Sequence, residues 1–209
     1  MTRHERYWDR MAERYAAMRI RDVGAYERTL ARTAAWLSPD DNVVEFGCGT
    51  GTSALRLAPF VRHIDATDFS VAMIEIANTK AQAEHAGNVT FRRADLFDPA
   101  AVPGSYDAAL AFNFLQLMAD LPAALAAVSR RLKPGGLFIS KSVCLGERGW
   151  RTVRVIVRGL RSSGVLPPIQ FLTLVALERA VEEAGFEILE RDLFSQRPPS
   201  RFLVARKAG

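Results

Sequence analysis

Val43-Val44-Glu45-Phe46-Gly47-Cys48-Gly49-Thr50-Gly51 is the stretch on which the fold turns. An apolar strand runs into three glycines at alternate positions, and a helical pattern opens at Thr52. Glycine has no Cβ, so the backbone can turn sharply at such residues and come close to a ligand. The spacing is GxGxG, whereas the dinucleotide fingerprint is GxGxxG and would place its third glycine at Thr52. No Lys-Ser or Lys-Thr pair follows, as a P-loop would require. A nucleotide-like ligand is implied. On this loop alone a purely steric strand-to-helix turn is the alternative.

Outward from the loop, strand-like and helix-like patterns alternate. Apolar runs at Asn42–Phe46, His63–Thr67, Val89–Ala94, Asp107–Phe112 and Leu137–Lys141 read as five strands, with helices over Thr52–Pro59, Val71–His85 and Ala119–Leu132 between them. Alternation of this kind predicts an α/β fold with a mainly parallel sheet. Ser70, ahead of the apolar-periodic Val71, Met73, Ile74 and Ile76, reads as a helix N-cap, and Gly87 reads as the stop. A last helix over Thr173–Ala184 precedes two strand-like runs, Phe186–Phe194 and Arg201–Arg206. These form an antiparallel edge hairpin whose connection holds Pro198 and Pro199. Residues 1–209 read as one domain: a helical cap over 1–36, a ligand-binding core over 37–141, a lid on the far side of the site over 142–172, and a terminal helix and hairpin over 173–209.

Ligands of open α/β sheets bind beyond the C-terminal ends of the strands, and two carboxylates fall there. Asp68, 19 residues after Gly49, closes the second strand, where it can accept hydrogen bonds from both hydroxyls of a ribose. Asp95 follows the third strand in Arg93-Ala94-Asp95-Leu96, and can face an adenine amino group.

Loop, Asp68 and Asp95 together resemble the class I S-adenosylmethionine-dependent methyltransferases, over roughly residues 40–209. Leu132-Lys133-Pro134-Gly135-Gly136-Leu137-Phe138 is similar to the turn before their fifth strand, and Ala184-Gly185-Phe186 to the start of their terminal hairpin. The resemblance implies a Rossmann-like sheet of seven mostly parallel strands in the order 3-2-1-4-5-7-6, strand seven antiparallel, with helices on both faces. It implies S-adenosyl-L-methionine as cofactor and S-adenosyl-L-homocysteine as product. The cofactor-binding residues it implies are Glu45, Phe46, Gly47, Cys48, Gly49 and Gly51 in the loop; Asp68, Phe69 and Met73 around the ribose; Asp95 and Leu96 at the adenine; and Asn113 after strand four. Tyr7-Trp8-Asp9-Arg10-Met11-Ala12-Glu13-Arg14-Tyr15 resembles the aromatic N-terminal segment of the branch acting on small molecules, quinones and lipids, in which Tyr7 and Tyr15 would approach the methionine portion. Two other readings are a nicotinamide-dependent oxidoreductase, disfavoured by the missing third glycine, and a cofactor-binding protein with an inactive methyltransferase fold.

Methyl transfer asks the protein to align donor and acceptor and to exclude water; a base is needed only where the nucleophile arrives protonated. His63 begins a strand and His85 ends a helix, which leaves His4, in the approach segment, as either a base or a solvated terminal residue. Lys141, at the end of strand five, can orient an anionic acceptor or pair with a sheet-edge carboxylate. Asn113 and Gln116 follow strand four and are candidates for positioning the acceptor. Ala111-Phe112-Asn113-Phe114-Leu115-Gln116 lacks the two prolines that follow strand four in enzymes methylating exocyclic base amines, which argues against that branch.

The composition fits this reading. Apolar residues make up 49% and charged residues 24%, an ordinary globular balance. Two cysteines, Cys48 and Cys144, and three scattered histidines supply neither a disulfide framework nor a four-ligand zinc site, so no metal is expected and the cytoplasm is the expected compartment. The net charge is +5, but residues 37–140 are −3, residues 1–36 are +3 and residues 141–170 are +5. Positive charge therefore lies outside the core, which is a poor argument for nucleic acid as partner. Arg151, Arg154, Arg158 and Arg161 recur on one helix face, either a solvated surface or a docking face for an anionic acceptor or anionic lipid at the inner membrane. Trp8, Met11, Tyr15 and Met18 form an apolar stripe at helical spacing. The acceptor and the oligomeric state are not written in the sequence.

Overall fold

Side chains of a strand alternate between the two faces of its sheet, and β1 (Asn42–Phe46) shows what each face is for. Val43 is buried in one apolar layer with Ile64, Leu110 and Ile139, and Val44 in the opposite layer with Ala109, Leu125 and Phe138. A strand buried on both sides belongs to the middle of a parallel sheet. In a computed structural model, which describes residues 3–98, 102–147 and 169–209, β1 has β2 (His63–Asp68) on one side and β4 (Tyr106–Phe112) on the other, both parallel. β3 (Val89–Arg93) extends the sheet beyond β2, and β5 (Leu132–Val143) extends it beyond β4. The hairpin of β6 (Phe186–Gln196) and β7 (Pro199–Lys207) completes it, with β7 antiparallel to β5. The order is β3-β2-β1-β4-β5-β7-β6, as the resemblance implies.

Helices α1 (Arg3–Ala17), α2 (Val23–Ala34), α3 (Thr52–Leu57), α4 (Val71–Ala83), α5 (Leu121–Arg131) and α6 (Leu174–Glu183) connect or cover the strands. Four of their starts are capped by a side chain that accepts a backbone N–H two or three residues into the helix: Asp22 from Ala25, Ser70 from Met73, Asp120 from Ala123 and Thr173 from Ala176. Ser70 is the cap expected from sequence.

Several boundaries move for physical reasons. α4 ends at Ala83 and is closed by His85, which takes φ 54°, rather than by Gly87; Ala86 N–H donates to Ala81 O and His85 N–H to Gln82 O, the paired bonds of a Schellman stop. A short 3-10 turn, Ala58–Phe60, ends the helix expected to run to Pro59. β5 begins at Leu132, opposite Tyr106, and bulges before the register resumes at Leu137. The edge hairpin is tighter than expected, because Pro199 opens β7 and only Arg197 and Pro198 remain between the strands. Met18 lies past the end of α1 and is 51% exposed, so it does not continue the stripe of Trp8, Met11 and Tyr15 along the helix. Arg151, Arg154, Arg158 and Arg161, with much of the expected lid, lie outside the described residues. Among the described residues no helix is long and apolar enough to cross a membrane.

Candidate active site

The glycines of the loop are demanded by backbone and by neighbours. Gly47, Gly49 and Gly51 take φ of 64°, 54° and 78°, a region in which an L side chain is strained. A Cβ on Gly47 would stand 2.3 Å from the Phe114 ring, and one on Gly51 2.6 Å from Phe91. Gly47 thus lets the segment after β4 close against the loop, while Gly51 lets the start of α3 pack on β3. At Gly49 the nearest atom to such a Cβ belongs to Tyr15 of α1, at 3.7 Å.

Asp68 is held by this loop. Its Oδ2 accepts from Gly49 N–H at 3.0 Å and its Oδ1 from Ser70 N–H at 2.9 Å. An ionised carboxylate has about four acceptor positions, so the two bonds fix its orientation and leave lone pairs for a ligand. Burial holds its pKa above the ordinary carboxylate value, opposed by N–H groups of Ser70, Gly49 and Phe69. Asp95 Oδ1 accepts from Phe97 N–H at 2.9 Å. Glu45, beneath the loop, is 2% exposed, and its Oε2 has no hydrogen-bond partner among the described residues. Burial and then the charge of Asp68 push its pKa up to about 8. Burial and these same two acids also raise the pKa of the Tyr15 hydroxyl.

A cavity of about 400 Å³ runs from Asp68 and Phe69 past Asp95 and Leu96 to Phe114 and Met118. A smaller one adjoins it, walled by Trp8, Tyr15, Met73, Phe112 and Asn113. His4, Gly47, Asp68 and Phe114 face both. Of the residues singled out from sequence, Phe46, Gly47, Asp68, Phe69, Asp95 and Leu96 line the larger cavity, and Tyr15, Gly49, Met73 and Asn113 the smaller. Asn113 holds φ 54°, with its N–H donating to Lys141 O at 2.7 Å. Glu45, Cys48 and Gly51 support the loop without lining a cavity; burial pushes the Cys48 thiol well up.

Three further candidates also lie outside both cavities. Tyr7 packs edge-on against Trp8, ring centroids 5.3 Å apart, because one residue along a helix turns the side chain away by about 100°. Gln116 is 6% exposed, and its Oε1 has no partner among the described residues. Lys141 is half-buried; desolvation lowers its pKa, opposed by the charge of Asp22.

α1 roofs the site and is fastened by side chains. Asp9 Oδ1 accepts from Ser70 Oγ at 2.6 Å and from Ala72 N–H at 3.3 Å, and Arg93 pairs with Glu5 at 3.0 Å. Trp8, Phe112, Phe114 and Met118 are among the wall residues that sequence reasoning did not single out as ligand contacts. Trp8 had a signal, since it is four residues from His4 and seven from Tyr15 and so shares their helix face. Phe114 had none, because its place is set by an absent Cβ at Gly47.

Comparison with known proteins agrees with this geometry. Residues 7–191 match a methyltransferase-domain family, and the chain belongs to the class I S-adenosylmethionine-dependent methyltransferases. It is similar to the O-methyltransferase resE of Aspergillus sclerotiorum, 29% identical over 86% of this chain and 69% of that protein. It also resembles the demethylmenaquinone methyltransferase of Leptospira interrogans, 35% identical over 52% of this chain but only 45% of that one, so the chain spans about half of that relative's length. Among solved structures, a complex of the Haloferax volcanii Trm112 methyltransferase activator with a putative methyltransferase superposes with a TM-score of 0.80 at 17% identity, covering 99% of this chain and 98% of that one.

The residues present fit the family's cofactor. S-adenosylmethionine brings two ribose hydroxyls, an adenine amino group and an ammonium. The site offers Asp68 with spare lone pairs, Asp95 at the far end of the cavity, and an orphaned acidic oxygen on buried Glu45.

Proposed function

We propose that this protein transfers the methyl group of S-adenosylmethionine to a small or amphipathic, largely apolar acceptor. The observation that carries the reading is a pair of adjoining cavities that share His4, Gly47, Asp68 and Phe114, the larger reaching Asp95 and the smaller reaching the rings of Trp8, Tyr15 and Phe112. Asp68 would hold the ribose and Asp95 and Leu96 the adenine, while the charge of Glu45, beneath the loop and outside both cavities, would draw the ammonium from behind the loop. The bound cofactor supplies an electrophilic methyl carbon on a sulfonium centre.

This chain's residues then have three tasks. Trp8, Tyr15, Phe112 and Phe114 exclude water and align a flat apolar acceptor, since displacement depends on near-attack geometry. Asn113 offers the acceptor an amide group at the junction. His4 faces both cavities and can take a proton from a hydroxyl acceptor. No Lys or Arg lines either cavity among the described residues, which favours a neutral reacting end over an anionic one. The hydroxyl and quinone acceptors implied by the names of the two relatives suit such a wall.

A labelled-donor assay against a fractionated whole-cell extract tests the proposal. Label should enter apolar, small-molecule or lipid fractions. Label confined to nucleic acid or protein, or turnover of nicotinamide cofactors in place of transfer, would overturn it.

A further inference from the structure

Nine large apolar residues are exposed in the described structure, and four of them, Tyr15, Met18, Ile20 and Val23, fall within nine consecutive positions. They occupy the end of α1, the connection to α2 and the first residue of α2, where every residue from 13 to 24 is exposed. The connection is short and fixed at both ends: Met18 N–H donates to Tyr15 O at 3.1 Å, and the Asp22 carboxylate accepts from Ala25 N–H at 2.8 Å. Scattered apolar residues on a surface need no explanation, but a cluster does.

Charge selects the partner. Residues 14–21 contain Arg14, Arg19 and Arg21 and no acid, and none of the three forms an ion pair among the described residues. Glu13 and Asp22 border the stretch, with Asp22 turned to its helix cap. Interleaved arginine and apolar side chains suit a surface that is anionic outside and hydrocarbon beneath: the guanidinium groups meet headgroup phosphates while Met18 and Ile20 enter the acyl boundary. A protein partner would need matching acids and a shaped pocket; a lipid surface needs neither.

We infer that the α1–α2 connection is a docking site for an anionic lipid surface. Tyr15 belongs both to the exposed cluster and to the wall of the smaller cavity, so docking would set the cavity wall against the bilayer, where an amphipathic acceptor resides. That purpose rests on the proposed acceptor class; the docking itself rests on exposure and charge.

Vesicle titration of the full chain tests the inference, with phosphatidylcholine alone and with phosphatidylcholine containing about one-quarter phosphatidylglycerol. Binding should need the anionic lipid and weaken with salt. Each arginine near such a surface contributes about fivefold, so Arg19→Gln with Arg21→Gln should weaken binding by about 25-fold. Met18→Ser with Ile20→Ser should weaken it too, and neither pair should change S-adenosylmethionine affinity measured on the same samples. Equal binding to both vesicles, no binding, or a loss that follows Arg151, Arg154, Arg158 and Arg161→Gln and spares the α1–α2 variants would overturn the inference. So would self-association that Met18→Ser and Ile20→Ser abolish without any vesicle binding. Vesicle binding by a chain that does not bind S-adenosylmethionine would leave the docking site standing and remove the proposed function.

Discussion

The two sides of the site are built differently. On the side of β1, β2 and β3, Asp68 and Asp95 are gripped by backbone N–H groups of Gly49, Ser70 and Phe97, and the loop is locked by three glycines at positive φ. On the other side, α1 and the segment after β4 contribute rings, and α1 is tied down by the side chains of Asp9 and Glu5. A backbone-built site needs particular residue types at particular spacings. A wall built of side chains needs only the right shape, which many sequences satisfy. The first side can therefore hold one ligand across a whole family while the second varies with the acceptor.

Replacing Gly47 by alanine should break both sides together. The new Cβ would collide with Phe114 in a backbone conformation that alanine disfavours, at a cost of about 2–4 kcal/mol. Denaturant midpoints should fall accordingly; an unshifted midpoint would mean that the loop and Phe114 are not in contact.

Asp68→Ala should strike the backbone-built side alone. Loss of charge-assisted bonds to the ribose would weaken cofactor binding by about 1–3 kcal/mol, read by calorimetry, while Asp68→Asn, which keeps one acceptor oxygen, should lose less.

Glu45 sharpens the same side through pH. Unfolded, its carboxyl ionises near the ordinary value of 4.5; folded, it holds its proton until about pH 8. The folded state thus binds the extra proton, and stability conferred at low pH is lost as pH rises through that window. Glu45→Gln should flatten the decline in urea midpoint. A bound ammonium favours the ionised form, so cofactor binding near neutral pH should release a proton in the wild type and none in the variant, read by calorimetry in two buffers of different ionisation enthalpy.

The smallest effect belongs to the side-chain wall. Trp8→Ala should raise the KM for the acceptor by about tenfold, more than it weakens S-adenosylmethionine binding. An equal loss in both would place Trp8 on the cofactor side.

The same contrast explains what could be read in advance. The strands and the chain positions of Gly47, Asp68 and Asp95 were legible because strand periodicity and glycine spacing are local consequences of backbone geometry, whereas the order of the strands in the sheet came from the family resemblance. Helix stops are harder: His85 takes a left-handed conformation that glycine, present two residues later, holds at lower cost. Asp9 was not legible, since its partner Ser70 is 61 residues away and nothing near it signals a long-range bond. Lys141 and Gln116 sit on the expected elements but turn away from the cavities, an orientation set by which sheet face or turn each occupies. Phe114 carries no local signal, since its place depends on the missing Cβ of Gly47.

The backbone-built loop is expected to hold S-adenosylmethionine. Titration of the full chain with S-adenosylmethionine, S-adenosylhomocysteine and NAD(P) in parallel tests it most directly. Saturable binding of the first two, weakened by Asp68→Ala, is the predicted result; saturable NAD(P) binding with none of S-adenosylmethionine would contradict it.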